Sequence, residues 1–158
     1  MSSTNCQLLP ATATRHEDAS SKDQHWNATS QFFDPDAEAR LKHQLDSLLA
    51  MGANWDFAGA PAPSEDIVRC VKRFCNGYVS YPSPTASATI EGGVQLEWHV
   101  AGRTLEIDFS PTGETNYICW QTSVGTFKEG ALHAPKIKND VRQYAELVSE
   151  LISWVKGA

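Results

Sequence analysis

The stretch QLEWHVAGRTLEID, residues 95–108, decides the fold. Apolar and polar residues alternate on both sides of Ala101-Gly102, which is typical of two strands joined by a tight turn. The predicted register pairs His99 with Thr104, Trp98 with Leu105, Glu97 with Glu106, Leu96 with Ile107, Gln95 with Asp108 and Val94 with Phe109.

This register separates the two faces of the hairpin completely. One face carries apolar side chains, from Val94, Leu96, Trp98, Leu105, Ile107 and Phe109. The other carries polar side chains, from Gln95, Glu97, His99, Thr104, Glu106 and Asp108. A slip by one residue would bury the carboxylates, so the register is strongly specified. The apolar face needs a cover from other elements.

Three amphipathic helices are available as that cover. The first begins at Asp34-Pro35 and ends at Gly52, the second runs from Ser64 to Gly77, and the third spans about 139–155. Their apolar stripes recur at helical spacing. The stripes comprise Leu41, Leu45, Leu48 and Leu49; Ile67, Val71, Phe74 and Tyr78; and Val141, Val148, Ile152 and Val155, widened by Leu147 and Leu151.

The strands lie between the second and third helices. Turn-forming residues separate candidates at Ala86–Ile90, Val94–Val100, Thr104–Ser110 and Thr115–Gln121, with Val124–Lys128 as a further edge strand. The aromatic residues Trp98, Phe109, Tyr117 and Trp120 are expected to fill the core. The predicted fold is α+β: an antiparallel meander of four to five strands with one face covered by three helices, in the order α-α-β-β-β-β-α.

Length and charge narrow the class of protein. The length of 158 residues suggests one domain, predicted over 31–158. Residues 1–30 are rich in small polar residues and poor in large apolar ones, so they are expected to form a flexible polar leader. The formal net charge of -6 argues against nucleic acid and against an anionic membrane as partners. The N-terminus has no apolar stretch typical of a secretory signal. The four cysteines form no CxxC pair, which favours free thiols and a cytoplasmic protein.

The polar face of the hairpin is the candidate site, and three interpretations compete for it. It is a solvated surface that keeps the sheet soluble, or it binds a basic protein partner, or it is a catalytic or metal site built from Glu97, His99, Glu106 and Asp108. Arg103 or a lysine of the next strand could neutralise the paired glutamates. The residues show no diagnostic metal spacing and no nucleotide-binding or nucleophile motif, so no cofactor is expected.

The connector NWDFAGAPAPS, residues 54–64, is the second dense stretch. Trp55 is expected to fill the junction between the first two helices, Asp56 to accept backbone hydrogen bonds, and Gly59 to adopt an unusual φ. Alternatively, the connector is a recognition loop in which Trp55 anchors a partner, because Trp is favoured at interface centres.

Residues 52–121 resemble a family of small bacterial proteins to which no activity is attached. The resemblance rests on Asn-Trp-Asp, Gly-Ala and Pro in the connector, followed by GGVQLEW at 92–98 and Leu-Glu-Ile at 105–107. Members usually have Gly after Trp-Asp, where this chain has Phe57. The resemblance implies a bacterial cytoplasmic protein and implies no activity.

Together these observations favour a non-enzymatic binding or regulatory module, antitoxin-like or chaperone-like, that acts through Glu97, His99, Glu106, Asp108 and Trp55. The antitoxin-like comparison rests on size and charge alone. A homodimer is left open. The alternative is a small metal-dependent or acid/base enzyme that uses the cluster of Glu97, His99, Glu106 and Asp108.

Overall fold

The computed structural model describes residues 35–78, 82–134 and 138–157. Three helices and five strands lie in these ranges, so the predicted α+β class is confirmed, with the fifth strand present. The proposed leader and the helix start at Asp34 lie outside the described residues. In chain order the elements are α1 (Pro35–Leu49), α2 (Glu65–Tyr78), β1 (Thr85–Ala88), β2 (Val94–Val100), β3 (Arg103–Phe109), β4 (Thr115–Gln121), β5 (Thr126–Ala131) and α3 (Lys138–Lys156).

The sheet is an antiparallel meander whose spatial order, β1 to β5, is the order of the chain. Every predicted pair between β2 and β3 is observed, from Val94 opposite Phe109 to His99 opposite Thr104. Ala101 and Gly102 both have positive φ, at 49° and 78°. Two consecutive residues of this kind form the type I′ turn that matches the twist of a tight hairpin, and this turn holds the register.

The helices cover one face of the sheet and form a single hydrophobic core with it. Trp98 lies at its centre: only 1% of the residue is exposed, and its indole Nε1 donates a hydrogen bond to the Pro82 carbonyl at 2.9 Å. Ser64 caps α2 as predicted, since its hydroxyl accepts a hydrogen bond from the Ile67 amide. The alternation of apolar residues therefore decides which face of the sheet is buried.

Some expected core positions are occupied differently. Leu49, predicted in the stripe of α1, is exposed because α1 ends there, whereas Tyr144 of α3 is buried beside the predicted positions. Trp120, expected in the core, is only half-buried and lies on the opposite side of the sheet from Trp98.

Two strand boundaries also differ from the prediction. The first strand ends at Ala88 and leaves Ile90 in a turn; the last begins at Thr126 and leaves Val124 in a turn. In both cases an apolar side chain in a turn resembled a strand residue, and both side chains are exposed.

Gly93, the residue just before β2, allows a close approach between two backbone segments. A Cβ atom on this residue would lie 2.5 Å from the carbonyl oxygen of Phe109 on the neighbouring strand. Glycine here therefore lets the first pair of the hairpin close.

The cysteines are not all free, so that expectation is wrong for Cys70, which is disulfide-bonded. Cys75 and Cys119 carry free, buried thiols. Burial raises the pKa of Cys75 to about 12 and that of Cys119 to about 11, which favours the protonated and less nucleophilic form of both thiols.

Candidate functional site on the open face of the sheet

The sheet has a second face that none of the three helices packs against, and we call it the open face. Its members follow from the register, because directly opposite residues of antiparallel strands point to the same side. The open face comprises Thr85 and Ser87 of β1; Gln95, Glu97 and His99 of β2; Thr104, Glu106 and Asp108 of β3; Asn116, Ile118 and Trp120 of β4; and Phe127, Glu129 and Ala131 of β5.

One row of side chains crosses this face at right angles to the strands. Glu97 lies opposite Glu106, Glu106 lies opposite Ile118, and Ile118 lies opposite Glu129. We call these four residues the carboxylate row. Neighbouring strands are about 4.8 Å apart, so three carboxylates and one apolar side chain lie within a short distance on one surface.

The structure brings four of the five predicted site residues together. Glu97 Oε1 lies 2.7 Å from Nε2 of His99, and His99 Nδ1 lies 2.9 Å from the Thr104 hydroxyl. Glu106 Oε2 accepts a hydrogen bond from the Gln95 amide at 3.0 Å. Asp108 lies opposite Gln95 in the register, and its Oδ1 is buried with no hydrogen-bond partner within the described part of the chain.

The carboxylates of β3 hold their protons more tightly than ordinary carboxylates. Burial raises the pKa of Glu106, and the negative charges of Glu97 and Asp108 raise it further. Burial also raises the pKa of Asp108, and the nearby Gln95 side chain partly opposes this shift. A cation placed beside these groups would stabilise their charged forms.

Arg103 does not neutralise the glutamate pair, which corrects the expectation from sequence. It lies on the helix side of β3, where Nη1 donates a hydrogen bond to the Trp154 carbonyl at 2.8 Å and the guanidinium lies 5.7 Å from the centre of the Trp154 ring. The next strand offers no lysine either: β4 places Asn116, Ile118 and Trp120 on the open face. None of the residues that form the open face is Lys or Arg.

Sequence analysis missed the apolar half of the open face. Ile118 and Trp120 are half-buried, and Phe127, directly opposite Trp120, is 60% exposed. The signal was present in TNYICWQ, where apolar side chains occupy both faces of the strand. Carrying the register across the turn at 110–114 would have placed Ile118 beside Glu106.

Trp55, the fifth predicted site residue, does not belong to the open face. It lies in the loop between α1 and α2, is half-buried, and donates a hydrogen bond from Nε1 to the Pro61 carbonyl at 3.2 Å. Asp56 behaves as predicted, since one carboxylate oxygen accepts hydrogen bonds from the Ala58 and Ala60 amides, each at 2.9 Å. These bonds hold the pKa of Asp56 below its usual value.

The same loop presents Phe57 to solvent in a conformation that favours glycine. Its φ is 59°, and 93% of the residue is exposed. A left-handed conformation costs a side-chain-bearing residue about 1–2 kcal/mol, and here no packing offsets the cost.

Within the described residues, no group of three or more His, Cys, Asp and Glu side chains is arranged to hold a metal ion. A cavity of about 90 Å³ lies on the helix side of the sheet, lined by Cys119, Lys128, Glu150, Leu151 and Trp154. It is therefore on the opposite side of the sheet from the carboxylate row.

Comparison with known proteins adds no relative. No protein-family model matches the chain, and no curated protein or solved structure is significantly similar to it. The resemblance drawn from the sequence motifs therefore stays a prediction. Among the described helices, none has the length and apolar character needed to cross a membrane.

Proposed function

We propose that the protein is a non-enzymatic binding or regulatory module whose open face binds a basic segment of a protein partner. The proposal is carried by one observation: Glu97, Glu106 and Asp108 lie together on a surface whose own residues include no Lys or Arg. Like charges on neighbouring strands are unfavourable. A basic partner removes this repulsion when it binds, and its positive charge lowers the raised pKa values of Glu106 and Asp108.

The biological setting belongs to the same proposal. An antitoxin-like or chaperone-like role in a bacterial cytoplasm fits the size, the acidic charge and the sequence resemblance. The disulfide at Cys70 weighs toward a more oxidising compartment, whereas the free thiols of Cys75 and Cys119 are compatible with either. Alkylation of intact cells followed by mass spectrometry would decide, since a reduced Cys70 supports the cytoplasm.

The binding proposal is tested with a lysine-rich, unstructured peptide and the full-length protein. The double variant Glu97→Gln/Glu106→Gln keeps the side-chain shapes and removes two charges. A matched control, Glu38→Gln/Glu114→Gln, makes the same change in net charge at two exposed positions off the open face. We expect weaker binding for the first variant alone, with a deficit that shrinks as salt rises. Equal binding by both double variants would contradict the proposal.

A second candidate function rests on the contacts of His99. Thr104, His99 and Glu97 form a hydroxyl–imidazole–carboxylate chain with separations of 2.9 and 2.7 Å, an order of groups that activates a nucleophile in many hydrolases. However, Thr104 is only 5% exposed, so a substrate cannot reach its hydroxyl without movement of its neighbours. This alternative would be supported if the protein hydrolysed an activated ester and Thr104→Val abolished that activity. If no ester is turned over, the three hydrogen-bonded side chains have a structural role.

A further inference from the structure

The open face also carries an apolar stripe, formed by Ile118, Trp120 and Phe127, and carboxylates flank one end of this stripe on both sides. Ile118 and Trp120 lie on β4, and Phe127 lies beside Trp120 on β5. Glu106 flanks Ile118 on one side and Glu129 flanks it on the other. The two flanking carboxylates are two strand spacings apart, which is about 10 Å.

We propose that this face binds an amphipathic helix of a protein partner, with its apolar stripe along β4 and Lys or Arg side chains on both flanks. The inference rests on the proposed function and specifies the partner. An α-helix with its side chains is about 10–12 Å across, which matches the separation between Glu106 and Glu129. Basic residues that border an apolar stripe then reach one carboxylate on each side.

An extended strand fits the same surface less well. The side chains on one face of a strand lie in a single line, so a strand along β4 would cover the apolar stripe and leave both acidic flanks uncovered. A helix presents a broad apolar stripe with polar borders. It would also give the sheet a second helical layer, the arrangement in which sheets with two apolar surfaces are usually buried.

Charge distinguishes this occupant from two others. A second copy of the chain carries the same net charge of -6, so pairing two open faces would bring carboxylates together. The segment 1–34 does not complement the face by charge, because its acidic side chains outnumber its basic ones. The acidic residues are Glu17, Asp18, Asp23 and Asp34, and the basic residues are Arg15 and Lys22.

The test uses the full-length protein and three synthetic peptides of about 15 residues, the helical length that spans a seven-residue strand. The first peptide repeats Leu and Lys at helical spacing, the second has the same composition in an order that breaks the stripe, and the third has Glu in place of Lys. Binding is followed by changes in backbone amide NMR signals. We expect the first peptide to bind about tenfold more tightly than the second, with shifts centred on β4, and the third not to bind.

Two variants and a control test which surface is used. Phe127→Ser removes an exposed aromatic side chain from the stripe, and Glu106→Gln/Glu129→Gln removes the charges on both flanks. Val124→Ser removes an exposed apolar side chain from the neighbouring turn, off the open face. Binding of the first peptide should fall at least about fivefold for both open-face variants, since each loses burial or charge pairing on binding, and should not change for Val124→Ser.

The outcomes separate this inference from the function on which it rests. If the first and second peptides bind equally and the binding of both depends on Glu97 and Glu106, the acidic face binds basic segments but the helix inference is wrong. If no basic peptide binds, both proposals fail. If Phe127→Ser binds the first peptide as tightly as the unaltered protein does, the apolar stripe is not part of the interface and the inference is overturned.

Discussion

Glu97 and Glu106 lie directly opposite each other on β2 and β3, and each carboxylate has a different neighbour as its partner. His99 Nε2 lies 2.7 Å from Glu97, and the Gln95 amide donates to Glu106 at 3.0 Å. The pair is thus held by a neighbouring imidazole and a neighbouring amide, while the nearest arginine in sequence, Arg103, binds the end of α3. The arrangement leaves repulsion within the isolated protein.

Glu97→Gln/Glu106→Gln should therefore be as stable as the unaltered protein at neutral pH, or more stable by a few tenths of a kcal/mol. Glutamine retains an oxygen that can accept the hydrogen bonds from His99 and Gln95. Urea denaturation followed by circular dichroism measures the difference. A loss above about 1 kcal/mol would show that the charges stabilise the fold.

The second prediction concerns pH. The folded-state pKa values of Glu106 and Asp108 are raised from ordinary values of 4.5 and 3.8, so the folded state binds more protons between the ordinary and raised values. Stability supplied by these groups is therefore present at low pH and is lost as pH rises through that window. The stability of the unaltered protein relative to Glu106→Gln/Asp108→Asn should therefore fall as pH rises above the ordinary pKa values of these two carboxyls.

Asp46 provides a control of opposite sign for that experiment. Its carboxylate lies 2.6 Å from Lys72 Nζ, and this hydrogen bond lowers its pKa. The stability difference between the unaltered protein and Asp46→Asn should consequently rise with pH over the range in which Asp46 ionises. Slopes of the same sign for both variants would contradict the assignment.

Trp98→Ala should cost about 3–5 kcal/mol, the range for truncation of a large aromatic side chain in a core. The residue is almost completely buried and its indole is hydrogen-bonded to Pro82. Trp120→Ala is the matched comparison, because Trp120 is only half-buried on the other face and its loss should cost clearly less. Equal losses would contradict the assignment of the two faces.

Phe57→Gly should stabilise the isolated protein by up to about 1 kcal/mol, because glycine adopts the left-handed conformation without strain. Phe57→Ala is the control: it removes the same exposed ring but keeps the Cβ atom and the strain. Thermal unfolding of the two variants should show Gly above Ala. The opposite order would mean that the phenyl ring, and not the backbone, governs stability in this loop.

Gly93→Ala should destabilise the protein by about 1–3 kcal/mol, because the new methyl group would collide with the Phe109 carbonyl oxygen and the strands would have to move. Gly77→Ala, near the end of α2, meets nothing within 4 Å and should be neutral or stabilising, since alanine favours helix. A chemical denaturation series on both variants measures the contrast. Comparable stabilities would show that β2 and β3 can separate at Gly93 at little cost.

The hairpin could be predicted because polar and apolar residues alternate over 94–99 and 104–109, and the helices because their apolar residues recur at helical spacing. The register of β2 and β3 followed from the rule that carboxylates stay out of the core, and the predicted helix stripes largely matched the observed core. The end of β1 and the start of β5 were harder to predict from the sequence. Ile90 and Val124 are apolar turn residues, and apolar character alone does not distinguish a turn from an edge strand.

The candidate site was predicted in part for a related reason. Glu97, His99, Glu106 and Asp108 belong to one hairpin, so local pairing was enough to bring them together. Ile118, Trp120 and Phe127 required the register of two further strand pairs. Apolar side chains on both faces of β4 also made burial a poor guide to orientation, and Trp120 was therefore assigned to the wrong side.

The meander also has a consequence for how the protein folds. Each strand pairs with the strand that precedes or follows it in the chain, so every hairpin closes over a short loop and pays little loop-closure entropy. Native contacts within the sheet are thus local in sequence, which favours fast folding for a β-rich chain. The contact between α2 and α3, where the Tyr78 and Tyr144 rings meet, joins elements far apart in the chain and therefore closes a much longer loop.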